Sequence, residues 1–284
     1  MSSFPLFPTE AVRRPVASVA SNSTQVFERL SALPKLAEVT SASRLTLRPT
    51  PEMVSSGVRE VDALTGGLPR GCLTEICGPV SSGRTSLLLA VLAAATQRQE
   101  ACALVDVSDA FDPVSAAIAV VNFESMLWVR CKTNSPRRHE DTKKTNQKHN
   151  LDHFRMEFPV EQALRVTDLL LQSGGFGLVI IDLGDVPLKM ARRIPLTSWF
   201  RFQRAIERTP TVLFVVTQAP CAQTCAALLF KLSAVSPQLS AQTPRHAALL
   251  NDLKIEAEIL RSRMPRKPAQ SITASFSTKT VRIG

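Results

Sequence analysis

The stretch Gly78-Pro79-Val80-Ser81-Ser82-Gly83-Arg84-Thr85 decides the fold of this chain. It matches the phosphate-loop pattern G-x-x-x-x-G-K-[S/T] at every fixed position except one, where Arg84 stands in place of lysine. In that pattern backbone N–H groups surround phosphates, the lysine contacts the outer phosphates and the hydroxyl residue binds magnesium. We therefore expect a phosphate site formed by residues 78–85 and Ser86, with altered hydrolytic chemistry.

The context of the loop supports this interpretation. An apolar run at residues 73–77 precedes it, and an apolar helical pattern at residues 87–95 follows it. This order directs backbone N–H groups and the positive end of a helix toward a bound anion. A second apolar run, residues 178–181, ends at the carboxylate of Asp182. Asp182 is either the carboxylate that supports magnesium together with Thr85, usually through water, or an ordinary acidic residue at a strand end.

Apolar runs and helical patterns alternate outward from the loop. Predicted buried strands cover residues 73–77, 103–107, 126–129, 178–181 and 212–216, and predicted helices cover residues 85–97, 160–172, 196–208 and 221–232. Further terminal strands are predicted at residues 254–261, 271–276 and 280–283. The repetition predicts an α/β fold, a phosphate-loop core with a mostly parallel sheet flanked by helices and with C-terminal strands.

Composition divides the chain into three parts. Residues 1–50 form a Ser/Pro/Thr-rich arm whose short helix at residues 24–33 either packs on the core or docks to a partner. Residues 51–235 form the core, and residues 236–284 form a linker and the terminal strands. Within the core, residues 132–153 are predicted to be a basic, disordered loop. It contains three histidines, but no accompanying cysteine or acidic spacing indicates a metal site.

Charge and cysteine usage narrow the class of protein. The 284 residues carry a net charge of +10, which favours polyanionic partners such as nucleic acid. The six cysteines contain no C-x-x-C pair, so we expect buried, reduced thiols. The chain has no membrane-length apolar run and its first ten residues do not resemble a signal peptide, so we expect a cytoplasmic location and no membrane partner.

Four segments together resemble the ATPase core of RecA-type recombinases. They are GVREVD (57–62), GGLPRG (66–71), TEICGPVSSGRT (74–85) and CALVDVSDAFDP (102–113), and the likeness continues to about residue 235. The sequence is most similar to the truncated RecA-like accessory proteins of bacterial mutagenesis cassettes, the ImuA-like group. That closer likeness depends on residues 182–185 (DLGD) and on the short tract after Gln218.

The resemblance implies ATP and Mg²⁺ as cofactors and assigns roles to further residues. Asp112 is expected to contact the adenine side, and Gln218 to sense the γ-phosphate. Ser108 stands where the family has its catalytic glutamate, and Ser115 where it has the aromatic residue that stacks on the base. Asp109 is adjacent to Ser108, but a shift of one residue on an extended chain points the side chain to the opposite face. We therefore expect weak to moderate ATP binding and slow or absent hydrolysis.

The regions that correspond to the DNA-binding loops of recombinases are also changed. The first is reduced to residues 184–195, where Lys189, Arg192 and Arg193 either contact phosphates or form a solvated helix start. The second is nearly absent, because residues 219–220 lead directly into the predicted helix 221–232.

The resemblance implies an accessory protein in damage-induced translesion synthesis. Its expected partners are translesion polymerase components, a recombinase filament, single-stranded DNA and further copies of itself. Two alternatives stay open: an active ATP-dependent, single-stranded-DNA-binding recombinase of homologous recombination and the SOS response, and an ATP-binding regulatory module unrelated to DNA.

Overall fold

A computed structural model describes residues 25–26, 28–30, 32, 50–131, 148–235, 252–264 and 273–279. The chain divides into two compact units, Met1–Pro49 and Thr50–Gly284. In the first unit, residues 25, 26 and 28–30 are helical, within the short helix that the sequence predicts.

The second unit alternates strands and helices. Its strands are β1 (Met53–Val54), β2 (Leu68–Pro69), β3 (Leu73–Cys77), β4 (Cys102–Asp106), β5 (Met126–Arg130), β6 (Leu178–Asp182), β7 (Val212–Thr217), β8 (Ala226–Ala234), β9 (Asp252–Ser262) and β10 (Thr273–Lys279). Its helices are α1 (Arg59–Thr65), α2 (Arg84–Gln97), α3 (Pro113–Ile118), α4 (Lys148–Ser173), α5 (Leu188–Ala191) and α6 (Leu196–Ile206). No helix among the described residues combines the length and the apolar character that a membrane span requires.

Eight of the described strands form one sheet in the order β10-β9-β8-β3-β7-β6-β4-β5. The six strands from β8 to β5 are parallel to one another, whereas β9 and β10 are antiparallel additions at one edge. The strand before the phosphate loop, β3, therefore lies inside the sheet with a parallel neighbour on each side. The predicted α/β class with a mostly parallel sheet and C-terminal strands is confirmed.

Helices cover both faces of the sheet because the central strands are buried on both sides. Leu104 and Ile180 face the apolar cluster that contains residues of α2, while Val105 and Ile181 face a second cluster with Trp199 of α6. Every residue of β3, β4 and β7 is buried. Double burial explains why these strands read as continuous apolar runs.

Two predictions are wrong in part. Residues 148–153, expected within the disordered loop, begin α4, while residues 132–147 lie outside the described residues. Polarity alone does not prevent helix formation, and the apolar pattern at 160–172 provides a helix from which residues 148–159 can propagate. Residues 221–232, expected to be helical, instead form a short 3₁₀ turn, Gln223–Cys225, followed by β8.

Candidate functional site

The candidate site lies where four parallel strands end at one edge of the sheet. Asp106 at the end of β4 is in register with Asp182 at the end of β6, and Cys77 at the end of β3 is in register with Thr217 of β7. The carboxyl edge of a parallel sheet is the usual ligand site of α/β proteins. The phosphate loop leaves β3 at this edge.

The loop joins β3 to α2 through left-handed backbone. Ser81 and Gly83 both adopt positive φ, at 61° and 89° respectively, and α2 begins directly after Gly83. The Oγ of Ser82 is buried and has no hydrogen-bond partner among the described residues. A buried hydroxyl without a partner is costly, and a bound anion at the start of α2 would provide the acceptor.

Arg84 connects the phosphate loop to the neighbouring strand end. Its side chain is buried, and its Nη1 donates a hydrogen bond of 2.8 Å to the carbonyl of Gly184, two residues after Asp182. A Cβ built on Gly184 would lie 2.9 Å from Asp182 Oδ1 and 3.3 Å from Arg84 Nη1. The guanidinium therefore reaches the end of β6, close to the carboxylate that the sequence suggests for magnesium.

Asp182 is partly buried at the carboxyl end of β6. Burial is the largest influence and raises the pKa of its carboxyl group to about 6, with Asp106 and Asp185 acting in the same direction. A hydrogen bond of 2.8 Å from the Gly184 N–H and the positive charge of Arg84 act in the opposite direction. One oxygen of Asp182 is thus already used to shape the turn after β6.

A cavity of about 460 Å³ opens beside the start of α2. Thr85 and Ser86 line it from the phosphate loop, and Ser115 lines it from α3. Phe276 and Thr278 of β10 form another part of the wall. The structure therefore brings the predicted phosphate hydroxyls and the predicted base-stacking position to one cavity, with β10 as a wall that the sequence did not reveal.

Ser108 stands where the resemblance implies a catalytic glutamate, and the acidic residue next to it, Asp109, forms an ion pair. Ser108 is partly buried, and its Oγ has no partner among the described residues. The neighbouring Asp109 accepts two hydrogen bonds from Arg130, from Nε at 2.5 Å and from Nη2 at 2.8 Å. The guanidinium of Arg130 also lies over the ring of Trp128, 4.7 Å from its centroid. Asp109 is thus paired with a cation.

Asp106 has a structural role at the same edge. Its two oxygens accept hydrogen bonds from the N–H groups of Ala110 and Phe111, each at 3.0 Å, and from Trp128 Nε1 at 3.3 Å. These bonds close the turn that contains Ser108 and Asp109. The carboxylate of Asp106 therefore fixes this turn and has little remaining capacity to accept another donor.

Asp112 caps α3. Its carboxylate accepts hydrogen bonds from the Val114 and Ser115 N–H groups and from Ser115 Oγ, and the Ser115 hydroxyl is the largest cause of a lowered pKa for Asp112. The cap positions Ser115 at the cavity, whereas Asp112 is not one of the cavity-lining residues. Its contact with a base stays a prediction.

Gln218 lies near the turn that Arg84 contacts. Its Nε2 donates a hydrogen bond of 3.2 Å to the carbonyl of Val186. The predicted basic triplet, Lys189, Arg192 and Arg193, follows on α5 and the residues after it, and all three side chains are exposed. The triplet does not line the cavity. The turn at residues 183–186 thus lies between the phosphate site and this basic segment.

Sequence reasoning did not predict the role of Glu75. This buried residue of β3 accepts hydrogen bonds from the Cys221 N–H at 2.7 Å, the Ala222 N–H at 3.2 Å and Thr217 Oγ1 at 3.2 Å. Burial raises its pKa, although each of these hydrogen bonds acts to lower it. An acidic residue inside the apolar run Leu73–Cys77 was the signal that could have drawn attention to it.

The residues of the site fit a nucleotide better than a magnesium ion. The helix start, the unpartnered Ser82 hydroxyl, the buried Arg84 cation and the adjacent cavity suit a phosphate chain with an attached base. For the metal, the donors are fewer. Three hydrogen bonds already occupy most acceptor sites of the Asp106 carboxylate, and Asp182 lies beside the Arg84 guanidinium, so Thr85 is the expected ligand that stays most available.

A parallel sheet with a phosphate loop after an inner strand and antiparallel strands at one edge defines a RecA-like core. The comparisons agree with this class. Residues 40–135 match the RecA N-terminal domain family. The chain is 34% identical over 133 residues to Protein RecA of Ectopseudomonas oleovorans, covering 46% of this chain and 31% of the relative.

Two further matches have wider coverage. Protein RecA of Rickettsia canadensis is 29% identical over 183 residues, covering 59% of this chain and 46% of the relative. The crystal structure of the RadB recombinase superposes with a TM-score of 0.51 at 17% identity, covering 79% of this chain and 95% of that structure. The RadB likeness therefore concerns the fold. The chain spans less than half the length of the curated relatives it matches.

Proposed function

We propose that this protein is a nucleotide-binding, RecA-like accessory protein of DNA recombination and repair, with slow or absent ATP hydrolysis. The likeness to RecA sequences supports a role in DNA recombination and repair. The observation that carries the accessory role is the state of the hydrolytic position, where Ser108 replaces glutamate and Arg130 binds Asp109 through two hydrogen bonds. A carboxylate engaged in this way is a poor base for water.

The expected loss of rate is large. A missing general base alone costs about 10²–10⁴-fold in rate. Arg84 adds a bulkier, forked cation that is not equivalent to lysine. We expect the chain to bind ATP, because the cavity and the phosphate loop are both formed, and to hydrolyse it slowly or not at all.

Within repair, we place the protein in damage-induced translesion synthesis. Its partners would be translesion polymerase components or a recombinase filament, with single-stranded DNA contacted through Lys189, Arg192 and Arg193. Support comes from the reduced segment after Asp182 and from the tract after Gln218, which enters a 3₁₀ turn and β8 with no long intervening loop. Neither region has the length of a mobile strand-exchange loop.

The test is ATP hydrolysis by the full chain with and without single-stranded DNA. We expect rates at least about 100-fold below those of a RecA protein assayed in parallel. DNA-stimulated hydrolysis at ordinary recombinase rates would contradict the accessory role and support the active recombinase. A variant with both Arg84→Lys and Ser108→Glu should gain activity if these two positions are the main defects.

A binding assay separates the remaining alternative. Purified polymerase components, recombinase filaments and single-stranded oligonucleotides are each tested for association with the full chain. Association with at least one is expected. If the chain binds ATP but none of these partners, a regulatory module unrelated to DNA is the better description.

A further inference from the structure

We propose that this site takes its nucleoside triphosphate as the free anion, without Mg²⁺, with the Arg84 guanidinium in the place of the metal. This inference rests on the nucleotide-binding function proposed above. It specifies the ionic form of the ligand, and it follows from where the Arg84 side chain ends.

The first step is the position of the guanidinium. Arg84 is the first residue of α2, and its buried side chain extends across the site to the Gly184 carbonyl, 2.8 Å from Nη1. Gly184 in turn donates its N–H to Asp182 Oδ1 at 2.8 Å. The guanidinium is therefore fixed at the end of β6, beside the carboxylate that the sequence suggests for a metal.

The second step is charge. A divalent cation beside a buried, permanently charged guanidinium is repelled, and the repulsion is stronger away from bulk water. Magnesium at nucleotide sites is usually held by one or two carboxylates together with waters and phosphate oxygens. Asp106 cannot supply an oxygen easily, because three N–H donors occupy its carboxylate. The position beside Asp182 is therefore better suited to the Arg84 guanidinium than to Mg²⁺.

The third step is the supply of donors for the phosphates. A guanidinium carries five N–H donors, and the Gly184 carbonyl engages one nitrogen of Arg84. The remaining donors can form a bidentate contact with phosphate oxygens, which lysine cannot do. The Ser82 hydroxyl and the N–H groups at the start of α2 add further donors. Charge neutralisation and hydrogen bonding are then both available from the chain itself.

The experiment measures equilibrium binding of a fluorescent ATP analogue to the full chain, in Mg²⁺ and in EDTA. Three proteins are compared: the unaltered chain, Arg84→Lys, and Arg204→Lys as a matched change at an exposed position outside the cavity. For the unaltered chain and Arg204→Lys we expect the Kd in EDTA to stay within about 3-fold of that in Mg²⁺. For Arg84→Lys we expect at least about 10-fold weaker binding in EDTA, because one ammonium is a single point charge.

The outcomes separate this inference from the proposed function. If the unaltered chain binds ATP in Mg²⁺ and loses at least 10-fold in EDTA, the inference is wrong while nucleotide binding stands. Equal insensitivity of Arg84→Lys to EDTA would also overturn it, since Arg84 would not be the source. If the unaltered chain binds no nucleotide in either buffer, both fail. Should Arg84→Lys not fold by circular dichroism, the comparison of the two buffers on the unaltered chain still decides.

Discussion

At the scale of single residues, Glu75 links the strand before the phosphate loop to the segment after β7. Its carboxylate is the acceptor for two backbone N–H groups and one hydroxyl. Replacing it by alanine leaves two buried N–H groups without their acceptor, at a cost of about 1–3 kcal/mol each. Glutamine keeps one acceptor oxygen and the shape, so Glu75→Gln should be destabilised less than Glu75→Ala in urea unfolding.

The same residue predicts a pH dependence of stability. Burial raises the pKa of Glu75 in the folded chain, so the folded state binds more protons than the unfolded state above the ordinary pKa. The stabilising contribution is full below the unfolded pKa and is lost as pH rises through the folded pKa. The free energy of unfolding should therefore fall with rising pH across this window, and Glu75→Gln should lack that component. Parallel slopes in both proteins between about pH 4 and pH 8 would contradict this.

The cysteines give a second prediction at this scale. In the described part of the chain five of the six thiols are buried, and Cys72 is partly exposed. Burial raises the pKa to about 11 for Cys77 and to about 12 for Cys102, so the reactive thiolate is scarce at neutral pH. Native protein should react rapidly with a thiol reagent at Cys72 alone, and denatured protein at all six. Mass spectrometry of the labelled peptides checks this, and rapid native labelling of Cys77 or Cys221 would count against it.

At the scale of elements, local pattern predicted those parts of the fold that local pattern determines. The strands β3, β4, β6 and β7 are mostly apolar because they are buried on both faces, and their predicted bounds lie within two residues of the observed ones. The prediction of a helix at residues 221–232 is wrong. Its apolar residues also fit a helix, and the outcome depends on pairing with β3 and β9, which are distant in sequence.

In the candidate site, too, local sequence pattern predicts some features and distant contacts determine the others. The phosphate-loop pattern and the place of Asp182 at a strand end could be predicted from the sequence, because each is a short pattern beside a strand; their roles stay predictions. The cavity wall from β10 could not, because Phe276 reaches the site only through antiparallel pairing of β10 with β9. The contact of Arg84 with Gly184 was equally hidden, since it joins residues 100 positions apart.

Ile255 of β9 packs closely against Gly83 of the phosphate loop. Gly83 has φ of 89°, and an added Cβ would collide with the side chain of Ile255 in β9. Gly83→Ala should therefore combine a left-handed backbone cost of about 1–2 kcal/mol with an overpacking cost of about 1–3 kcal/mol. Gly174→Ala is the matched control, because Gly174 has φ of 67° but nothing within 4 Å of an added Cβ.

Urea unfolding of both variants measures the difference. Gly174→Ala should lose only the backbone part, and the additional loss in Gly83→Ala reports the contact with Ile255. Adding Ile255→Val to Gly83→Ala should recover part of that loss, since it removes a methyl group from the crowded position. If the two glycine variants are equally stable, β9 does not press on the loop as described.

At the scale of the whole molecule, the net charge of +10 makes affinity for a polyanion depend on salt. Lys189, Arg192 and Arg193 are exposed on the segment that follows the turn held by Arg84 and Gln218. Each phosphate contact on a single strand contributes about 0.7 to the slope of log K against log salt. Changing all three to glutamine should therefore reduce that slope by about 2.

The control must remove the same charge elsewhere. Arg165, Arg204 and Arg208 are also exposed. Arg204 lies in the last turn of α6, and Arg208 lies between α6 and β7. The triple glutamine variant at these positions changes the net charge equally but should leave the slope nearly unchanged. Fluorescence anisotropy of a single-stranded oligonucleotide over a salt series measures both. Equal slopes in the two variants would mean that overall charge drives DNA binding. A smaller slope in the first variant alone would locate the contact on residues 189–193, the segment that follows the turn at residues 183–186.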